Sequence, residues 1–362
     1  MFLMASLTQK ERVSVDIDHE LEEMIQKQAA RIKVVGCGGG GGNSVSRMKE
    51  IGISGCEIIA LNTDAQDLLY SNVDAKILIG RELTHGLGAG SNPKMGEQAA
   101  KESEAEIKKK LQDSDLVFIT CGLGGGTGTG AAPVVAQIAK NLGALTIGVV
   151  TLPFTVEGQK RIENSQYGLE KLESIVDTLI VIPNDKLLEL APELPIHTAF
   201  KVADEILTNA VKGITELITK AGLVNLDFAD VKAVMSNGGV SLIGIGESDS
   251  NDRAKAAVEK AINNPLLDVD ISNATGALVN IVGGPDMSLD EYNVIMKHLG
   301  SKISANAKII SGAQIAPDME KTIKVLLIVT GVKSPQIIGS ASEPRRPEGK
   351  LQDELGIQFV NE

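Results

Sequence analysis

Residues 122–130 read Gly-Leu-Gly-Gly-Gly-Thr-Gly-Thr-Gly, six glycines in nine positions. An apolar run, Leu116-Val117-Phe118-Ile119-Thr120, leads into them, and Ala131-Ala132-Pro133-Val134-Val135 follows. A strand therefore passes through a glycine loop into a helix N-terminus. Glycines let backbone N–H groups approach a ligand closely, and the free amides and dipole at a helix start favour phosphate. No Lys-Ser or Lys-Thr follows the glycines, so this is not a Walker loop. The amides of Gly124, Gly125, Gly126, Gly128 and Gly130, with the hydroxyls of Thr127 and Thr129, are expected to do the work of a P-loop lysine. The plainer alternative is a flexible glycine turn, but the run is richer in glycine than a turn requires.

A second cluster has the same layout. The strand Ile32–Val35 runs into Gly36-Cys37-Gly38-Gly39-Gly40-Gly41-Gly42-Asn43, with a helix expected from Ser44 to Ile51. Gly36, Gly38 and Gly41 satisfy G-x-G-x-x-G. Asp64, after the strand Glu57–Asn62, stands about where a dinucleotide-binding domain keeps its ribose-binding acid. Alone, residues 31–64 favour NAD. A dinucleotide site has no need of a second glycine loop some ninety residues later, whereas two loops at two strand ends suit one polyphosphate held from both sides.

With these motifs in place the chain resembles the tubulin/FtsZ family, in the form carried by FtsZ and its archaeal members. Gly124–Gly130 is similar to the tubulin signature, and Gly36–Asn43 to the first nucleotide loop. Gly86-Leu87-Gly88-Ala89-Gly90-Ser91-Asn92-Pro93 resembles the third loop, Pro153–Arg161 the ribose-side segment, and Asn225-Leu226-Asp227-Phe228-Ala229-Asp230 the catalytic loop. The five motifs stand in family order, and the resemblance runs from about residue 32 to 332. It implies an α/β fold: a Rossmann-like parallel-sheet GTPase domain joined by a long central helix to a smaller α+β domain. It also implies GTP or GDP as ligand, with Mg2+ bound through the nucleotide phosphates and water.

Phe200 and Asp204 are four residues apart and share a helix face. An aromatic face can stack on a purine, and a carboxylate can accept both N1–H and the 2-amino group of guanine, where adenine offers an acceptor at N1. The resemblance implies this assignment, with Asn43 reading the rest of the guanine edge. Taken without it, a core Phe200 and a solvated Asp204 is the simpler reading. Glu157 and Arg161 form an ordinary i,i+4 pair by spacing. By resemblance they approach the ribose and phosphates, Asn184 lies near the sugar, Ala89, Gly90 and Asn92 sense the γ-phosphate, and Asn62 and Asp64 belong to the neighbouring loop.

Asn225, Asp227 and Asp230 form N-x-D-x-x-D, carboxylates able to orient a water near developing phosphate charge. An acidic helix cap is the alternative. They follow an amphipathic pattern from Ile196 to Lys220, whose apolar side carries Phe200, Ala203, Ile206, Leu207, Ala210, Ile214, Leu217 and Ile218. A helix of that length, ~37 Å at 1.5 Å per residue, sets the acids far from the glycine loops. Hydrolysis is then expected to need a second subunit, in head-to-tail contacts that leave a filament open.

The 362 residues divide on this reading into an N-terminal extension (1–30), a GTP-binding domain (31–195), the connecting helix (196–222), a C-terminal domain (223–333), a flexible linker (334–350) and a partner-docking peptide (351–362). Strands are expected at Ile32–Val35, Glu57–Asn62, Leu116–Thr120, Leu145–Thr151 and Leu179–Pro183, then at Val240–Gly246, Gly276–Val282, Ala307–Ser311 and Ile323–Thr330. Linker chemistry at 334–350 ends in an apolar cluster at 351–360, where a membrane adaptor of the SepF kind is expected to dock.

A net charge of −12 and the lack of a basic patch argue against a nucleic-acid partner. No apolar run approaches the ~20 residues needed for membrane insertion. Cys37, Cys56 and Cys121 are an odd number, which suits a reducing cytosol. His19, His85, His197 and His298 lack metal-ligand spacing. The expected function is a GTP-hydrolysing filament former of the cell-division ring, at mid-cell in the cytoplasm. Two rivals are a non-hydrolysing tubulin-like regulator and, on residues 36–64 only, a nicotinamide-dependent oxidoreductase.

Overall fold

The computed structural model describes residues 30–190, 196–220, 222–224, 226–236, 238–267 and 270–332. The extension up to residue 29, the linker, the terminal peptide and Asn225 lie outside the described residues.

Ten strands form one sheet: β1 (Ile32–Cys37), β2 (Cys56–Asn62), β3 (Ala75–Leu78), β4 (Leu116–Gly122), β5 (Leu145–Leu152), β6 (Thr178–Pro183), β7 (Gly239–Ser248), β8 (Gly276–Gly283), β9 (Lys308–Ile315) and β10 (Ile323–Thr330). The helices are α1 (Gly38–Glu50), α2 (Ala65–Tyr70), α3 (Arg81–Thr84), α4 (Pro93–Glu102), α5 (Glu104–Leu111), α6 (Thr127–Asn141), α7 (Gln159–Glu173), α8 (Asn184–Leu190), α9 (Ile196–Thr219), α10 (Phe228–Met235), α11 (Arg253–Ile262) and α12 (Leu289–Gly300).

The strand order is β3-β2-β1-β4-β5-β6-β7-β10-β8-β9. Its first six strands are parallel and follow the 3-2-1-4-5-6 order of a doubly wound nucleotide-binding sheet. Strands β4, β5 and β6 are buried almost throughout, which is why they read as unbroken apolar runs rather than alternating ones. In such a sheet, ligands bind where the order reverses, outside the carboxyl ends of the flanking strands. Here that point lies between β1 and β4, paired from Ile32↔Leu116 to Gly36↔Thr120. Both strands run straight into the glycine segments.

The sheet continues past β6. Strand β7 meets it in parallel over Thr178–Ile180, then pairs antiparallel with β10, which pairs antiparallel with β8; β8 and β9 are parallel. The core includes Phe118, Ile147 and Ile180 from the sheet and Leu207, Val211 and Ile214 from α9, which spans ~36 Å at 1.5 Å per residue. Among the described residues no helix is long and apolar enough to cross a membrane.

Two expectations change. The helix expected at Ser44 begins at Gly38, so the glycine run forms its first turns rather than a loop before it. Glycine disfavours helix by ~1 kcal/mol relative to alanine, which hides such a start in a sequence. Packing overrides propensity: Gly38 takes φ +71°, and a Cβ on it would lie 2.7 Å from Gly128 N. Strand β3, a four-residue edge strand, has no expected counterpart.

Candidate nucleotide site

The helices beside the switch point start in two ways. Helices α2 and α4 are capped by their own N-cap side chains: Asp64 accepts from the N–H groups of Gln66 and Asp67, and Asn92 from that of Lys94. Helices α1 and α6, with Cys37 and Gly126 at their N-caps, have no side-chain cap. A helix start leaves up to four N–H groups without helical partners, so the two glycine helices present donors side by side. Gly40 lies against Gly122, and a Cβ on Gly39 would lie 3.0 Å from Asp67 Oδ2. A Cβ on Gly125 would meet nothing within 4 Å, so this turn faces open space.

The third loop is packed onto the second. A Cβ on Gly126 would lie 2.7 Å from Asn92 N and 2.9 Å from Ala89 Cβ. Gly90, at φ +56°, faces open space. Asn164, which the sequence reading missed, is buried and ties the two loops together: its Nδ2 donates to Ser91 O and Gly124 O, both at 3.1 Å. Thr63 was missed too; its Oγ1 lies 2.6 Å from Thr127 Oγ1 at the start of α6. Neither belongs to a recognisable motif, and each acts through a partner distant in sequence.

Thr129 departs from its expected role. It is fully buried, and its Oγ1 accepts the Gly124 N–H at 2.9 Å. That hydroxyl closes the glycine loop from within instead of facing the cradle. Asp64 has one carboxylate oxygen engaged as a helix cap, so the acid on which the NAD reading rested serves the start of α2. Asn62 is buried, donating to Asp67 Oδ2 at 2.8 Å.

A cleft of about 410 Å³ opens beside the cradle, and both Asn43 and Asp204 line it. Ser44 Oγ donates to Asp204 Oδ1 at 2.5 Å. Burial pushes the Asp204 carboxyl above the usual aspartate range, opposed by the Ser44 hydrogen bond and the charge of Arg47. Ser44 and Arg47 were not anticipated; their signal was their i+1 and i+4 spacing from Asn43. Phe200 is 41% exposed, and its ring meets buried Phe154 edge-on at 5.2 Å and 83°.

On the other side of the glycine turn, Glu157 and Arg161 pair at 2.7 Å, and Glu157 Oε1 also accepts the Phe154 N–H. The backbone oxygen of Arg161 lies 3.0 Å from where a Cβ on Gly124 would stand, so the pair borders the signature loop. Asn184 is buried at the start of α8, and its Oδ1 has no hydrogen-bond partner. An orphaned buried acceptor is costly unless a ligand completes it.

Asp227 and Asp230 are both exposed, at the start of a helix that packs against β8 and β9. Asp227 is the N-cap of α10, yet its side chain caps nothing, and Asp230 lies in the first helical turn. The segment just before them is held by Leu223 N–H donating to Ala313 O on β9.

A doubly wound sheet with two uncapped glycine helix starts at its switch point defines a nucleoside-polyphosphate-binding fold. Residues 31–192 match the family model for the GTPase domain of the Tubulin/FtsZ family, and residues 239–333 that for the C-terminal domain of the FtsZ family. The chain is 60% identical to cell division protein FtsZ 1 of Thermococcus kodakarensis over 95% of its length and 94% of that protein. It is 54% identical to FtsZ 1 of Archaeoglobus fulgidus over 98% of its length and 96% of that protein. A solved Methanocaldococcus jannaschii structure, titled an empty FtsZ dimer, is 59% identical, with a TM-score of 0.83 over 87% of this chain and 92% of that one. At 20% identity, CetZ2 of Haloferax volcanii shares the fold, with a TM-score of 0.74 over 90% of this chain and 100% of that one. The chain belongs to the tubulin/FtsZ family.

Proposed function

We propose that this chain is a GTP-binding, self-associating GTPase of the FtsZ kind that acts in cell division and completes its hydrolytic site between subunits. The observation that carries the reading is the pair of uncapped helix starts at the β1/β4 switch point, beside a cleft lined by Asn43 and Asp204. Those donors fit phosphate, the ionised Asp204 fits guanine, and the orphaned Asn184 Oδ1 fits a sugar hydroxyl. Among the described residues no three His, Cys, Asp or Glu side chains gather to hold a metal. Mg2+ would accompany the nucleotide, neutralising phosphate charge.

Hydrolysis between subunits draws support from α9. Asp204 lies in its first half, and the acids follow its C-terminal end, so about 22 Å of helix stands between Asp204 and the acids. Asp227 and Asp230, with Asn225, would then orient a water against the nucleotide of the next subunit. The functional division follows the boundaries given above, 31–195 for binding and 223–333 for activation, joined by 196–222. Residues 351–360 would dock a membrane adaptor of the SepF kind, holding the filament at a mid-cell cytoplasmic site.

Phosphate release measured across protein concentration tests the reading. Turnover per subunit should rise steeply above an assembly threshold. Constant turnover by monomeric protein would place the whole active site in one chain, and GTP binding without any turnover would favour the non-hydrolysing regulator.

A further inference from the structure

Ser44 is buried on α1, one turn after Gly40 and next to Asn43. Its hydroxyl has one proton and two acceptors within reach, Asp204 Oδ1 at 2.5 Å and the Gly40 carbonyl at 3.0 Å. The proton belongs on Asp204 while that acid is ionised and turns to Gly40 when it is not, so neither state strands the hydroxyl. Arg47 and Glu50 of α1, Asp67 and Tyr70 of α2 and Lys201 of α9 line the same cleft. Strands β5 and β8, packed against α9, carry no charged residue, while α8 adds Asp185, whose carboxylate accepts from Thr155, and Lys186. Burial drives the Asp204 carboxyl toward its neutral form, and the Ser44 hydrogen bond and then the charge of Arg47 oppose it. Arg47 is half exposed and shared with Glu50 at 3.3 Å. The Ser44 bond is buried and aimed by the helix, and a bond to an ionised acceptor is about twice as strong as a neutral one.

We propose that Ser44 is the positioning residue for Asp204, holding its carboxylate ionised and turned so that both oxygens meet the N1–H and 2-amino group of guanine. The proposal rests on the guanine reading of the cleft and names the residue that sets its selectivity. A carboxylate oxygen has two lone pairs, so Oδ1 can accept from Ser44 and from guanine together. Without Ser44 the same oxygen is free to swing toward Arg47 or Lys201, the cations that line the cleft with it. Ser44 also ties the base reader to the helix whose first turn, Gly38–Gly41, forms one side of the phosphate cradle.

The test is the affinity of the full chain for GTP and for ITP, whose base lacks the 2-amino group, by displacement of a fluorescent guanine nucleotide below the assembly threshold and across pH. Ser44→Ala should bind GTP about 5–20 times more weakly at neutral pH and ITP at most about 3 times more weakly, because a misaligned carboxylate loses the second of its two hydrogen bonds first. Selectivity for GTP therefore shrinks. The hydrogen bond from Ser44 favours the ionised carboxylate, so losing it should also move the acid limb of GTP affinity to higher pH. Ser44→Thr, which keeps the hydroxyl, should retain the parent's selectivity and its acid limb. Equal weakening toward GTP and ITP with an unmoved acid limb overturns the proposal, since a purely structural role in α1 would give that result. Unchanged GTP binding by Ser44→Ala overturns it as well. A parent chain that prefers GTP to neither ITP nor ATP overturns the guanine reading, and this inference with it.

Discussion

Helices α1 and α6 start on glycine segments that leave their first N–H groups uncapped, whereas α10 starts on Asp227, an acid well suited to capping that caps nothing. A missing cap costs a helix ~1 kcal/mol. At the glycine pole the fold leaves donors unpaired, but it surrounds them: α2 and α4 are capped, Asn164 locks two loops together, and a cleft adjoins. At the acid pole it leaves acceptors unpaired and exposed. The first is a receptor built within one chain. The second has carboxylates and no enclosure of its own, as expected of half a site.

The sharpest way to break this comparison is to damage each pole separately. Asp227→Ala should leave GTP affinity at the parent value and lower turnover ~10² to 10³-fold, the usual loss for a group acting on transition-state charge or water. A matching loss in affinity, measured by nucleotide titration, would mean that the two poles are not separate functions.

Asp204→Asn probes the receptor. The neutral amide cannot accept both guanine donors, so GTP should bind about 10–100 times more weakly and discrimination against ATP should shrink. Its pH dependence has a definite sign. The folded carboxyl binds its proton more tightly than the unfolded one, chiefly because of burial. The apo protein therefore loses stability as pH rises from the ordinary aspartate value through this raised one. Removing the charge should raise the apo melting temperature at neutral pH, while GTP affinity of the parent should fall as pH drops through the raised value. An apo melting temperature lowered by Asp204→Asn would contradict the burial argument.

Gly130→Ala tests how the sensor loop is held. A Cβ there would lie 1.9 Å from Pro93 O and 2.6 Å from Glu97 N, both backbone atoms of α4. Overpacking of this kind costs ~1–3 kcal/mol. Urea unfolding should show that loss together with weaker GTP binding, because α4 carries Asn92 at its cap. An unchanged midpoint would mean that α4 and α6 separate easily.

The glycine pole was more legible than the acid pole for a physical reason. Clustered glycines between an apolar run and a helical pattern have few other uses, so Gly38–Gly41 and Gly124–Gly130 stand out, whereas the i,i+4 spacing of Phe200 and Asp204 singles them out only together with the family resemblance. The start of α1 was misplaced because its glycines are poor helix formers held by contacts from β4 and α6, which no local pattern records. Asn164, Thr63 and Ser44 were missed for the same reason, since each meets its partners across 40 to 160 positions. The β6–β7 seam, only three residue pairs long, joins strands whose patterns had been assigned to two separate domains.

The smallest predicted effect concerns the frame behind the glycine pole. Glu97 on α4 takes Lys101 of its own helix at 2.8 Å and Lys171 of α7 at 2.7 Å. Hydrogen bonds from Lys101 and then Lys171 pull its carboxyl down to about 2. Because the folded value lies below the unfolded one, the stabilisation is present above pH 4.5 and is lost as pH falls toward 2. The side chain is 22% exposed, so solvent screens part of the gain, and Glu97→Gln should cost about 1 kcal/mol at pH 7. Parent and variant unfolding curves, taken as an acid series, should converge by about pH 2. This clamp joins α4 to α7, the helix that carries Arg161 and Asn164, and so braces the loops without facing the nucleotide. Glu97→Gln should therefore leave the Asp227→Ala comparison intact, with GTP affinity at pH 7 within about a factor of two of the parent. A tenfold loss of affinity in Glu97→Gln would show that the receptor depends on this brace as well as on its glycines.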